Sequence, residues 1–139
     1  MTTYVCDLKV RSYELDAFGH LNHAVYLNYF ETARFQALEE AGFDLTTLGE
    51  RGWGIHVVRV EVDFRSEAFL GDRIRISTRT HELRNSSMAL EQTARNLSRD
   101  EARAADALVT VVWVGPDRRP MRIPPEVRKA FPPSGETSP

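Results

Sequence analysis

A chain of 139 residues and 15.8 kDa has room for one domain and not for two independent cores. Its 42% hydrophobic and 27% charged residues are ordinary for a globular protein and exclude disorder over most of the length. A net charge of −2 leaves no broad cationic field to hold nucleic acid or an anionic membrane, and the single cysteine, Cys6, excludes an internal disulfide.

In chain order, the run from Tyr4 to Glu14 reads as a first strand. A polar stretch follows, and then one strong helical segment, His23 to Ala41. Tyr26, Leu27, Tyr29, Phe30, Ala33, Phe35, Ala37, Leu38 and Ala41 cover most of its circumference, so it is expected to be buried on more than one side. Asn22 is the expected N-cap, since its side-chain oxygen can take an amide of the first turn, and Gly42 is the expected stop. Beyond it, Val58, Val60, Val62 and Phe64 alternate with Arg59, Glu61, Asp63 and Arg65 in the period of two of a strand. Ile74, Ile76, Thr78 and Thr80 alternate with arginines and Ser77 in the same way, and Gly71-Asp72 between the two runs is a hairpin signal. Met88 to Asn96 and Ala104 to Val114 read as two further strands, linked through Ser98-Arg99-Asp100.

All seven prolines lie at or after Pro116, so nothing earlier removes a backbone donor. Glu126 to Phe131 reads as a short helix opened by Pro125. Residues 1–131 are expected to form the single domain and 132–139 a disordered tail. The order is strand, long helix, then four strands joined mostly by hairpins: an α+β domain with one antiparallel sheet and one apolar helix laid on it. One helix cannot cover five strands on both faces, so an exposed edge or face and a homodimer are expected. No apolar run approaches a membrane span and the first ten residues lack the apolar stretch of a signal peptide, so the expected location is the cytoplasm.

The chemistry concentrates between Asp16 and Arg34, in Asp-Ala-Phe-Gly-His-Leu-Asn-His-Ala-Val-Tyr-Leu-Asn-Tyr-Phe-Glu-Thr-Ala-Arg. A carboxylate, two histidines and an asparagine crowd the loop that leads into the apolar helix. A helix start offers unpaired amides and a partial positive charge, which can stabilise an oxyanion. A carboxylate just ahead of it stays ionised and is available as base or nucleophile. Taken alone, Asp16 is also a common type of turn residue.

This stretch resembles the signature of hotdog-fold acyl-CoA thioesterases of the 4-hydroxybenzoyl-CoA thioesterase type, and the order of elements resembles that fold over Val5 to Val114 and again near Arg122 to Phe131. The resemblance implies a five-stranded antiparallel sheet wrapped around one long central helix. It implies a dimer whose sheets join edge to edge, often paired again into a tetramer, with the active site at the subunit interface and neither a metal nor an organic cofactor. It makes an acyl-CoA, or an acyl group on a carrier protein, the substrate. Asp16 matches the family's nucleophile or general base, and the backbone N–H of His23 matches the amide that polarises the thioester carbonyl. Gly19 matches the small residue at the loop bend. Arg84, Asn85 and Ser87 fall where the family contacts the coenzyme's phosphate-bearing arm. The acyl chain is expected near Phe18, Tyr26 and Trp53, with His20 and Asn22 shaping the site. Glu14 and the pair Ser66-Glu67 depart from the family's common pattern.

Rival readings follow from the same residues. Asp16, His20 and His23 are permissive for a metal, but no third imidazole or thiolate lies close in sequence, and a hydrolytic zinc site commonly needs three protein ligands. Glu31, on the helix, is a rival base. Arg73, Arg75 and Arg79 form a solvated or interface face, not a nucleic-acid stripe. An enoyl-thioester hydratase or a non-catalytic acyl-binding module on the same scaffold are the alternatives to hydrolysis, because fold does not fix function.

Overall fold

The computed structural model describes residues 2–133. Five strands, β1 (Tyr4–Lys9), β2 (Gly54–Phe64), β3 (Arg73–Leu83), β4 (Ser87–Asn96) and β5 (Ala102–Val114), form one antiparallel sheet in the order β1-β3-β4-β5-β2. The long helix α1 (His23–Glu40) lies on it, with two short helices, α2 (Leu45–Arg51) and α3 (Pro125–Ala130). The five antiparallel strands and the long helix are as the sequence analysis expects.

The α1 face that buries Tyr26, Tyr29, Phe30, Ala33, Ala37 and Leu38 meets alternate residues of the sheet, among them Ile74, Ile76, Leu90, Val109, Val111 and Trp113. Each of these strand residues points inward because its neighbours point out, and the sum is one apolar core. Asn22 caps α1 as expected, its Oδ1 accepting from the Ala24 N–H at 2.9 Å. The helix ends at Glu40, and Gly42 turns the chain away with a φ of +93°, a conformation that costs glycine little.

Three features differ from the sequence reading. The first strand stops at Lys9, and Ser12–Glu14 coil into a single 3₁₀ turn. Helix α2 was not expected; its signals are Asp44, whose side chain caps Thr47, and Gly52, left-handed at the end. The third concerns Gly71-Asp72, which joins no hairpin: β2 and β3 lie at different places in the sheet. The Gly71 N–H donates to the Val10 carbonyl and the Val10 N–H to that of Asp72, so this turn belongs to the β1–β3 pair. The nearly buried Asp72 carboxylate fastens it by accepting from the Phe69 N–H, Asn96 Nδ2 and Arg99 Nε.

β2 is an edge strand, and its apolar residues are open: Val58 is 59% exposed, Val60 42% and Phe64 51%. A register shift between Val57 and Arg59 leaves Val58 without a partner on β5, as in a β-bulge. At the other end of the chain Ile123, Val127 and Phe131 are buried, and α3 is held by Arg128, which donates to the Arg84 and Asn85 carbonyls at 2.5 and 3.0 Å. Of the proposed tail, Pro132 and Pro133 are described, the latter bridging to Thr80; 134–139 lie outside the described residues. No helix among the described residues is long and apolar enough to cross a membrane.

Candidate active site

Residues 15–21 form a closed loop ahead of α1. Leu15 and Leu21 bridge at its base, and the Asp16 N–H donates to the His20 carbonyl at 2.8 Å. At the tip, Gly19 takes a φ of +84° and its N–H donates back to the Asp16 carbonyl. That is the small residue the bend requires. The loop is tied to the β2–β3 connection through Leu21, whose N–H donates to the Ala68 carbonyl at 2.8 Å.

Within this loop the Asp16 side chain is held from one side only. Its Oδ1 accepts from the Phe18 N–H at 2.9 Å and the His20 N–H at 3.1 Å. The amides, that of His20 foremost, hold the carboxyl below its ordinary value, so it stays ionised. Its Oδ2 accepts no hydrogen bond among the described residues. One oxygen therefore fixes the group and the other keeps its lone pairs.

His23 opens α1. Its main-chain N–H is one of the amides a helix leaves unpaired, and it has no acceptor among the described residues. Asp16, His20, His23 and Tyr26 line a single cleft of about 270 Å³ with Leu21, Phe64, Arg65, Ser66 and Glu67. The His20 ring lies edge-on to Phe69 and its Nε2 is 3.3 Å from Glu67 Oε2. The His23 and Tyr26 rings flank Phe64, with centroids 6.2 and 5.5 Å apart. Burial, and then the Asp72 charge, push the Tyr26 phenol up to about 12, so it remains a neutral hydroxyl. Among the described residues no three His, Cys, Asp or Glu side chains gather as a metal site.

Not every residue singled out in the sequence comes here. Phe18 stands at the loop tip, 83% exposed, outside the cleft lining. Asn22 acts as the helix cap. Trp53, after α2, packs edge-on against Trp113 with the Arg51 guanidinium over its ring. Arg84, Asn85 and Ser87 form the β3–β4 turn, where the Arg84 N–H donates to the Ser87 carbonyl and Arg84 pairs with Glu82. Ser87 lies level with Val112 and His56, whereas the Asp16 cleft sits beside Phe64. Those eight residues of β2 separate the two places by about 26 Å at the usual strand rise. Glu31 sits apart again, on the rim of a mostly apolar cavity of about 110 Å³ under the second half of α1. The residues that local sequence reading misses are Phe64, Arg65 and Leu21. Ser66 and Glu67 stand out there only as departures from the family pattern. All but Leu21 reach the cleft because the β2–β3 connection folds back onto the loop, which no local pattern encodes.

Comparison with known proteins adds an independent line. A model of the Thioesterase-like superfamily matches residues 10–131. Acyl-acyl carrier protein thioesterase ATL2, chloroplastic, of Arabidopsis thaliana is 31% identical over 125 residues, which is 90% of this chain and 66% of that protein. The chain thus spans just under two-thirds of the length of that relative. Long-chain acyl-CoA thioesterase FadM of Escherichia coli K12 is 32% identical over 107 residues, covering 77% of this chain and 80% of that one. Among solved structures, the hypothetical protein TT1821 from Thermus thermophilus superposes with a TM-score of 0.83 at 28% identity, covering 92% of this chain and 96% of the other.

Proposed function

Since the chain belongs to the Thioesterase-like superfamily and has the hotdog fold, we propose that it hydrolyses the thioester bond of an acyl-CoA or an acyl-carrier protein. The observation that carries this is the pairing, in one cleft, of the unbonded Asp16 Oδ2 with the unclaimed N–H of His23. A thioester carbonyl seated between them has a carboxylate oxygen facing its carbon and a peptide donor facing its oxygen. As the carbonyl becomes tetrahedral, negative charge moves onto that oxygen. The amide and the positive end of α1 lower the energy of this charge, and a single such donor is worth about 10²–10³ in rate.

Asp16 acts by one of two routes. Its Oδ2 adds to the carbonyl carbon and expels the thiolate, and water then opens the resulting anhydride. Alternatively it takes a proton from water, which adds directly. Both routes need an ionised carboxylate, which the Phe18 and His20 amides maintain, and neither calls for a metal or an organic cofactor. His20, steadied by Glu67, and Tyr26 wall the cleft.

The working unit in this reading is a homodimer formed through β2. A strand edge with open valines and no proline or inward charge invites a further strand. Antiparallel pairing of two β2 strands reverses their ends. It brings the Arg84–Asn85–Ser87 turn of one copy toward the Asp16 cleft of the other, across the 26 Å or so that separates them within a chain. Arg84 would then meet a coenzyme phosphate, and Arg122, which donates to Asn85 Oδ1 at 3.3 Å, stands beside it. Pairing of dimers into a tetramer and a cytoplasmic location, in keeping with the single buried thiol of Cys6, complete the reading. The test is a screen for thiol release over a panel of acyl-CoAs and an acyl-carrier protein, with Asp16→Asn alongside. Release by the native protein and not by the variant is expected; equal release by both removes Asp16 from the chemistry.

A further inference from the structure

One buried ionisable side chain beneath the loop has no part in the chemistry above. Glu14 is 9% exposed, and its Oε1 accepts from the Tyr29 hydroxyl at 2.6 Å and from the Arg11 N–H at 2.8 Å. No cation lies within ion-pair distance of it among the described residues. The Arg11 guanidinium is near enough to interact with it electrostatically but forms no ion pair, so the cost of burying the carboxylate is only partly offset. Tyr29 is itself 5% exposed on α1, and burial followed by the Glu14 bond raises its phenol above the usual range.

Two main-chain connections show what the carboxylate is fastened to. Two residues on from Glu14 comes Asp16. The Glu14 carbonyl, in turn, accepts from the Asn22 N–H at 3.0 Å, and the next residue after Asn22 is His23. Glu14 therefore bears on both halves of the cleft: the carboxylate follows it along the chain, and the helix start hangs from its carbonyl. Its side chain ties that junction to the second turn of α1 through Tyr29.

From this geometry we infer that Glu14 and Tyr29 are positioning residues, whose bond sets the separation between the Asp16 carboxylate and the His23 amide. The inference rests on the hydrolase reading for its catalytic consequence. A misplacement of the order of 1 Å between reacting groups costs about 10²-fold in rate, so a partial relaxation of the junction is expected to cost about tenfold.

The experiment compares Tyr29→Phe, Glu14→Gln and Glu14→Ala with the native chain, in steady-state thiol release and in amide hydrogen exchange. Tyr29→Phe keeps the ring in the core and removes only the hydroxyl. It is expected to lower kcat about tenfold with KM within twofold. Exchange should quicken at Asn22 and stay unchanged at core amides such as Val109 and Trp113. Glu14→Gln retains an acceptor oxygen and is expected to stay within threefold of native kcat, while Glu14→Ala falls with Tyr29→Phe. Native kcat in Tyr29→Phe overturns the inference. So does a loss accompanied by faster exchange throughout the core, which marks a merely structural role. A Glu14→Gln as impaired as Glu14→Ala also overturns it, because charge and not geometry would then matter. If the native protein releases no thiol from any thioester, the hydrolase reading fails separately. Exchange then decides alone: selective quickening at Asn22 in Tyr29→Phe supports the junction, and no change refutes it.

Discussion

The two ends of the sheet are built by different means. Beside Phe64, a loop of seven residues closes on itself through main-chain bonds, and amides five and three residues ahead of the helix start grip a carboxylate. At the far end, the β3–β4 turn is held by arginine side chains: Arg128 donates to two carbonyls and Arg122 to Asn85 Oδ1. The first end has fixed dipoles set around the Asp16 carboxylate, which suits bond making. The second has arginine cations at the surface, which suits holding an anion. The difference teaches that, in the proposed function, the reaction and the coenzyme handle call for different construction, with the two places about 26 Å apart in a single protomer.

The largest effect should come from the rigid end. Asp16→Asn is expected to lower kcat on the best substrate by about 10²–10⁴-fold with an unchanged melting profile. The native pH profile should follow from the same group. Amides hold its carboxyl below the ordinary carboxylate value, and the active form is the ionised one. Activity on the acid side therefore persists down to below the pH at which a free aspartate protonates, about 3.9. An acid limb near pH 6 would assign the step to another group.

Next in size is the joining of the two ends. Val60→Lys puts a charge in the middle of the open β2 edge. It should shift the protein on size exclusion toward its 15.8 kDa monomer and cut turnover on the order of tenfold, the equivalent of about 1.4 kcal/mol. A monomer of native activity would separate the ends for good, and the handle would have to be sought within one chain. Smaller again is the arginine-held end itself. Arg84→Ala is expected to raise KM for acyl-CoA about three- to tenfold at nearly constant kcat, as one charge-assisted hydrogen bond allows. The difference from native should shrink as salt rises. A fall in kcat at constant KM would place Arg84 with the chemistry. The smallest effect belongs to the helix cap: Asn22→Ala should cost about 1 kcal/mol in denaturant unfolding, with little change in the loop bonds of Asp16.

Much of this was legible in the residues themselves. Asn22 and Gly42 bracket α1, and apolar or threonine residues alternating with charged ones mark β2 and β3, because caps and side-chain periods are local properties. The run from Asp16 to Arg34 likewise announced a carboxylate before a helix start. Local signals failed where partners are distant in sequence. Gly71-Asp72 has the composition of a hairpin, yet its amides and carboxylate are claimed by Val10, Phe69, Asn96 and Arg99. The distance of Trp53 and Arg84 from Asp16 within one chain is likewise not written in any local pattern: the strand order puts them at the opposite end of β2. Glu14 departs from the family's pattern in the sequence, and what it does depends on Tyr29, fifteen residues on, whose hydroxyl donates to it. Helix caps and strand periods need only the backbone and the next few side chains, so the sequence alone determines them. Which Asp16 oxygen stays free, what walls the cleft and how far the arginines lie from it depend on packing between segments far apart in the chain, and the folded core decides them.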